Sequence, residues 1–152
     1  MKFTRRRLIQ SAAAVAALLP LDARAAWPAV IVHKDPNCGC CSGWVAHLEL
    51  NGFRVQVFET AELNRVKTRL GVPFDLAACH TAEVEKYVIE GHVPAAALKR
   101  FLAERPHALG LSVPGMPSGS PGMTGEYEEY EVTLFGPNGR RIYARFKGEK
   151  EL

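Results

Sequence analysis

The chain has 152 residues, of which 19 are Lys or Arg and 16 are Asp or Glu, so its formal net charge is +3. Residues 1–25 hold five of the basic residues and one acidic residue, and the remaining 127 residues therefore carry a net charge of −1. The basic excess therefore belongs to the N-terminal segment and is no evidence for nucleic-acid binding. The length predicts one domain, residues 26–152, with a substantial core.

The N-terminal segment has the three parts of a secretory signal peptide. Arg5–Arg7 form a positive region, an apolar run covers 8–21, and Ala23–Ala25 is an A-x-A cleavage pattern. The run is shorter than the roughly 20 residues that a membrane span needs. Thr4–Ile9 also resembles the twin-arginine export signal. We expect residues 1–25 to be cleaved and the rest to leave the cytoplasm without a membrane anchor, an uncleaved N-terminal anchor being the alternative.

The elements predicted beyond the signal alternate between strands and helices. Strands are predicted where β-branched apolar residues run together or alternate with polar ones, and helices where apolar residues recur every three or four positions. The predicted elements are a strand over 29–33, a helix over 41–51, a strand over 53–58, a helix over 61–70, a strand over 84–90, a helix over 95–104, and strands over 130–135 and 141–146.

Two further features complete the predicted fold. Residues 105–126 are rich in Pro and Gly, which predicts a long loop, and Pro137–Gly139 predicts the turn of a C-terminal β-hairpin. Strands separated by helices predict an α/β protein with a mixed sheet flanked by helices. A cysteine cluster falls where the first strand meets the first helix, which is where a thioredoxin-like fold carries its reactive cysteines. We therefore expect a thioredoxin-like sheet.

That cluster is Cys38-Gly39-Cys40-Cys41, which contains both a C-x-C and a C-x-x-C spacing. Cys38 and Cys41 have the spacing of a redox-active pair. A helix N-terminus stabilises thiolates through its unpaired N–H groups, and the thiolate is both the nucleophile and the metal ligand. A dithiol enzyme needs only two sulfurs, so the third favours a soft metal such as Cu(I) or zinc. A structural disulfide with a spare thiol is the alternative.

Three further residue types could complete such a site. Cys79 precedes the third predicted strand, and in a thioredoxin-like sheet the loop that enters this strand passes close to the cysteines at the helix start. His80 could add an imidazole ligand. Met116 and Met123 lie in the Gly-rich loop, where a thioether has little packing reason to be and suits Cu(I). A buried inert cysteine, a capping histidine and methionines that cover the edge of the core are the respective alternatives.

The sequence closely resembles the domain-of-unknown-function 411 family, which includes CopG-type periplasmic proteins associated with copper resistance. The resemblance spans nearly all of residues 28–136. It rests on six motifs in the same order, which are Cys38–Cys41 followed by Gly43-Trp44, Leu70–Pro73, Cys79–Ala82, Ile89–Pro94, Val113–Pro117 and Gly119–Met123. The resemblance implies a thioredoxin-like fold, a periplasmic location and copper handling through a cysteine tetrad, here Cys38, Cys40, Cys41 and Cys79.

The sequence is compatible with three functions. The first is a periplasmic protein that binds Cu(I) through the tetrad, with copper ions and other copper-handling or thiol-reducing proteins as partners. The second is an enzyme, a thiol–disulfide oxidoreductase in which Cys38 and Cys41 are the catalytic pair. The third is a structural zinc or disulfide domain. Adjacent Cys40 and Cys41 fit a closed zinc site poorly, because such sites use two separated C-x-x-C arms.

Overall fold

The computed structural model describes residues 26–152, and the predicted signal peptide lies outside these residues. The described chain forms the strands β1 to β8 and the helices α1 to α3, with a 3-10 turn at Phe74–Leu76. Their bounds are β1 Val30–Lys34, α1 Gly39–Leu50, β2 Val55–Glu59, α2 Leu63–Arg69, β3 His80–Val84, β4 Tyr87–Glu90, α3 Ala95–Glu104, β5 Gly110–Ser112, β6 Glu129–Gly136, β7 Gly139–Lys147 and β8 Lys150–Glu151. Within residues 26–152 no helix is long and apolar enough to span a membrane.

All eight strands belong to one open sheet with the order β2-β1-β3-β4-β5-β6-β7-β8. The pairs β1–β2 and β4–β5 are parallel, and the other neighbours are antiparallel. The predicted α/β class, the mixed sheet and the C-terminal hairpin β6–β7 are therefore confirmed. The thioredoxin-like description stays a prediction.

The structure corrects the predicted elements in two places. The strand predicted over 84–90 is the hairpin β3–β4, whose turn contains Glu85 with a left-handed φ of 51°. The loop predicted over 105–126 contains β5, which pairs with β4 through Gly110. A Cβ at Gly110 would lie 1.7 Å from the carbonyl oxygen of Val88, so only glycine permits this close approach of the two strands.

The core lies between the sheet and the apolar faces of α1 and α3. Trp44 and Leu48 of α1 and Leu98 and Phe101 of α3 are fully buried against the strands, as the helical spacing predicts. The Trp44 indole also donates a 2.9 Å hydrogen bond to the carbonyl of Val93, just before α3. Such buried aromatic anchors contribute several kcal/mol each, so they fix the start of α1 relative to the end of β4.

His47 is a second link between α1 and α3. Its Nε2 accepts a 3.0 Å hydrogen bond from the N–H of Ala95 at the start of α3, and its Nδ1 lies 3.2 Å from Glu149. Burial lowers the pKa of His47, although Glu149 acts against this shift. The hydrogen bond from the Ala95 N–H requires an unprotonated Nε2. The unfolded chain therefore binds a proton at His47 more readily than the folded chain does.

We therefore expect acid to destabilise the fold partly through His47. The His47 contribution is complete above the unfolded pKa of about 6.5 and is lost as the pH falls below it, by at most about 1.4 kcal/mol per pH unit. Urea unfolding of wild type and His47→Gln between pH 8 and pH 5 measures this loss. The glutamine variant keeps an acceptor that does not titrate, so its stability should depend less on pH. Parallel pH curves for the two proteins would contradict this role of His47.

Candidate metal centre

Three of the predicted ligands lie at the start of α1. Cys38 is the N-cap residue, and Cys40 and Cys41 lie in the first turn. The loop before them is held by Asp35, whose carbonyl accepts hydrogen bonds from the Cys38 N–H at 3.1 Å and from the Lys34 ammonium at 3.0 Å. Lys34 is 3% exposed, and its ammonium group contacts this loop and, at 3.4 Å, the Glu59 carboxylate. The cysteine loop is thus fixed at both ends, by Lys34 and by the helix.

Cys79 lies at the entrance to β3, and the pairing of β3 with β1 brings it opposite the start of α1. Its Sγ is 3.9 Å from the Sγ of Cys40, and its carbonyl oxygen is 3.7 Å from the Sγ of Cys41. The four Sγ atoms of Cys38, Cys40, Cys41 and Cys79 all lie within 4.8 Å of one another. The structure therefore assembles the predicted tetrad from two segments that are about 40 residues apart in the sequence.

The four sulfurs are in two different chemical states. Cys38 and Cys41 are joined by a disulfide, while Cys40 and Cys79 carry free thiols. The Sγ of Cys40 is 3.4 Å from the Sγ of Cys38, so a free thiol lies directly beside the disulfide. Presenting four thiolates to a metal requires the Cys38–Cys41 bond to accept two electrons.

Burial raises the pKa of the Cys79 thiol to about 12, and the nearby Cys40 contributes to the rise. Cys79 therefore keeps its proton at neutral pH when no cation is present. A metal cation that binds the sulfur must displace this proton, because the thiolate is the ligand form. Metal binding at Cys79 is thus coupled to proton release.

His80, a predicted ligand, is completely buried beside the sulfurs. Its Nδ1 lies 3.4 Å from the Cys79 Sγ, and its ring packs against the Trp44 ring with 4.3 Å between centroids. Burial is the main cause that lowers the pKa of His80 well below its usual range, so the ring is neutral. Its Nε2 is buried and has no hydrogen-bond partner among the described residues. The nitrogen that lies near a sulfur is Nδ1, and His80, His92 and Cys79 form a second group whose ligand atoms lie within 4.8 Å of one another. A ligand role for His80 stays a prediction.

His92 belongs to the site although the ligand set predicted from the sequence does not include it. Its Nε2 lies 3.0 Å from the Cys79 Sγ, and its Nδ1 donates to the Pro121 carbonyl at 2.6 Å. This carbonyl fixes the tautomer, so the bare Nε2 faces the sulfur, as in histidines that bind metals. Its presence in the motif Ile89–Pro94 was the available signal.

The two methionines come close to the site through their loop backbone. Gly115, next to Met116, forms a bridge with Ala78 next to Cys79, and Met116 is 56% exposed. Gly122, next to Met123, packs on the first turn of α1, where its added Cβ would lie 2.7 Å from the Cys40 carbonyl oxygen. A ligand role for either thioether stays a prediction.

Fold and site together define a class of protein, a small α/β domain with a compact cluster of soft donors at a helix start. The family described as "Protein of unknown function, DUF411" matches residues 76–123. Two solved structures match over most of their length, and both are titled copper resistance protein copG. Form 1 is 44% identical, covering 80% of this chain and 99% of its own, with a TM-score of 0.74. Form 2 is 43% identical, covering 79% and 98%, with a TM-score of 0.75.

The chain therefore belongs to the DUF411 family of CopG-type proteins, as its motifs indicated. The similarity to Form 1 and Form 2 covers 80% and 79% of this chain, which is more than the segment of residues 76–123 that the family description covers. No curated protein matches the chain.

Proposed function

We propose that this protein binds copper as Cu(I) through the sulfurs of Cys38, Cys40, Cys41 and Cys79, and that it serves copper resistance or copper redox handling. The observation that carries the proposal is the meeting of four sulfurs, within 4.8 Å of one another, from two distant segments. The titles of the two similar structures, which name copper resistance proteins, support the choice of metal.

The donor set favours Cu(I) over zinc. Thiolate and imidazole are soft or intermediate donors that suit Cu(I), and the neutral rings of His80 and His92 lie at the edge of the sulfur cluster. A structural zinc site needs four ligands in tetrahedral geometry from well-separated positions. Cys40 and Cys41 are adjacent on one helix turn, which makes that arrangement difficult.

The residues of the chain have distinct parts in loading copper. The Cys38–Cys41 disulfide must take up two electrons from a thiol or another reductant, and Cys79 must release its proton. Lys34 holds the loop before Cys38, and Trp44 links α1 to Val93 after β4, so the start of α1 stays in place while this happens. Copper ions and a thiol-reducing or copper-handling protein are therefore the partners we propose.

The location follows from the same chemistry. We propose that residues 1–25 are an export signal and that residues 26–152 act in the periplasm, an oxidising compartment in which a Cys38–Cys41 disulfide can form. Neither nucleic acid nor a membrane is a proposed partner of the exported domain.

Anaerobic copper loading tests the proposal. After reduction, wild type is expected to retain Cu(I) against a Cu(I)-specific chelator, whereas Cys38→Ser/Cys41→Ser should lose most of its bound copper because half of the sulfurs are gone. Ser42→Ala, an exposed position in the same helix turn, is the matched control and should bind like wild type. Metal analysis and thiol titration measure the result. Retention of copper by the double variant equal to wild type sinks the proposal.

A thiol–disulfide oxidoreductase is the second candidate, and the Cys38–Cys41 disulfide at a helix N-terminus favours it. In this function Cys38 and Cys41 exchange their disulfide with a protein dithiol, and Cys40 is dispensable. If no reversible Cys38–Cys41 couple exists within the range of periplasmic redox buffers, this candidate fails.

A further inference from the structure

A buried ion pair lies behind the sulfur cluster, between Lys67 of α2 and Glu90 at the end of β4. Lys67 is 7% exposed and Glu90 is fully buried. The Lys67 ammonium donates to the Glu90 carboxylate and, at 2.9 Å, to the Thr81 hydroxyl. The Thr81 hydroxyl in turn donates to the second carboxylate oxygen at 2.7 Å. Three polar side chains thus form a closed network of hydrogen bonds that is buried in the protein.

Stability alone does not account for this network. Removing two charges from water costs several kcal/mol per ion, and replacing a buried pair with apolar residues of similar size is often neutral or stabilising. Burial raises the pKa of Glu90, although the Lys67 charge and the hydrogen bonds act against the rise. The helix α2 also places Lys67 inside, where an apolar side chain would serve its packing better.

The network reaches Cys79 from both sides. The Glu90 Oε1 accepts a 2.6 Å hydrogen bond from the N–H of Ala78, the residue immediately before Cys79. Thr81, two residues after Cys79, is the strand partner of Glu90 in the β3–β4 ladder. Cys79 lies just before β3, outside the β3–β4 ladder. The Glu90 side chain therefore holds the backbone at a place where the ladder does not. A carboxylate suits this task because it accepts several strong hydrogen bonds at once.

We propose that Glu90 is a positioning residue, which holds Cys79 against Cys40 through Ala78 and Thr81, with Lys67 fixing the orientation of its carboxylate. Cys79 belongs to the site through the proposed copper function, on which this role rests. The role itself is geometric and does not need copper to be measured. Sites that bind metals depend on such supporting hydrogen bonds as strongly as on their ligands.

The test uses the closure of a Cys40–Cys79 disulfide in the Cys38→Ser/Cys41→Ser background. Diamide removes two electrons and two protons from the two remaining thiols, which leaves one S–S bond and the reduced hydrazine form of the reagent. The thiols start 3.9 Å apart, so the rate reports how well they are held together. We expect Lys67→Met/Glu90→Leu to slow closure at least about 10-fold.

Two further variants separate positioning from folding. Lys67→Met/Glu90→Gln is equally neutral but keeps an oxygen for the Ala78 N–H, so it should recover most of the rate. Tyr130→Phe removes another buried hydrogen bond, to the Gly148 carbonyl, far along the sheet, and should close like the parent. Both double variants remove the two charges together, so neither leaves one charge buried alone. Each should therefore unfold at the same urea concentration as the parent or at a higher one.

Equal closure rates in the leucine and glutamine variants overturn the proposal, as does a slowed rate in Tyr130→Phe. Cu(I) affinity, measured with all four cysteines present, then separates the two levels of inference. Both proposals are supported if the leucine variant closes slowly and also binds Cu(I) at least about 10-fold more weakly. In a Cys79→Ser background, the same leucine variant should then cause no further loss of Cu(I) affinity. Slow closure with unchanged Cu(I) affinity upholds the positioning role and contradicts the proposed place of Cys79 among the copper ligands.

Discussion

Replacing Cys40 with serine is expected to weaken Cu(I) binding by about 100-fold while the Cys38–Cys41 disulfide still forms. Thiolate-rich zinc sites provide about 10–16 kcal/mol of binding free energy, so one ligand of four corresponds to roughly 3 kcal/mol. Cys40 is the sulfur that joins the two halves of the cluster, at 3.4 Å from Cys38 and 3.9 Å from Cys79. Anaerobic competition with a Cu(I) chelator gives the affinity, and thiol alkylation in redox buffers gives the disulfide couple.

The same variant decides between the two candidate functions. A Cys40→Ser protein that binds Cu(I) like wild type, with an unchanged dithiol couple, contradicts the tetrad and favours the oxidoreductase. Loss of Cu(I) binding with an unchanged couple favours copper binding. Ser42→Ala remains the control, because it changes an exposed hydroxyl on the same helix turn without touching a sulfur.

Replacing Gly122 with alanine is expected to destabilise the fold more than the same replacement at Gly139. Its φ is +89°, and a Cβ there would lie 2.4 Å from the backbone nitrogen of Trp44. Gly139 is the matched control, since its φ is +90° and its Cβ would meet nothing within 4 Å. The left-handed backbone costs both variants about 1–2 kcal/mol, and the collision costs Gly122→Ala a further 1–3 kcal/mol or so.

The Gly122 variant should also affect the site. The loop that must move carries the Pro121 carbonyl, which orients His92. Losing such a supporting contact lowers metal affinity by about 10–100-fold. Urea unfolding and Cu(I) competition on both alanine variants measure the two effects. Equal destabilisation of Gly122→Ala and Gly139→Ala, with equal Cu(I) affinity, would show that the loop does not need its close packing on α1.

Local patterns were sufficient to predict the main elements and the cluster Cys38, Cys40 and Cys41, whereas Cys79 was predicted from the expected fold and the family resemblance. The bounds of α3 agree with its apolar spacing, and α1 begins two residues earlier than its apolar face suggested, with Cys38 at the N-cap position. The β3–β4 hairpin was missed since its turn uses Glu85 in a left-handed conformation, with no Gly or Asn to signal it. β5 was missed because three residues among prolines carry no periodicity.

The surroundings of the tetrad could not be predicted in the same way. His92, Lys67 and Glu90 act through contacts across β3, β4 and α2, and no spacing within one element reveals such contacts. A lysine is almost never buried unless it is paired, and the sequence alone does not show that Lys67 has a partner in Glu90. The motif Ile89–Pro94 indicated that this segment matters without showing which side chain faces the sulfur.

The distance along the chain between Cys41 and Cys79, 38 residues, has a consequence for the order of events after synthesis. In an unfolded chain only Cys38, Cys40 and Cys41 are near one another, and the fourth sulfur arrives when β3 pairs with β1. A metal held by all four sulfurs would then act as a cross-link that closes this long loop. The stabilisation that such a cross-link gives a folded chain increases with the length of the loop.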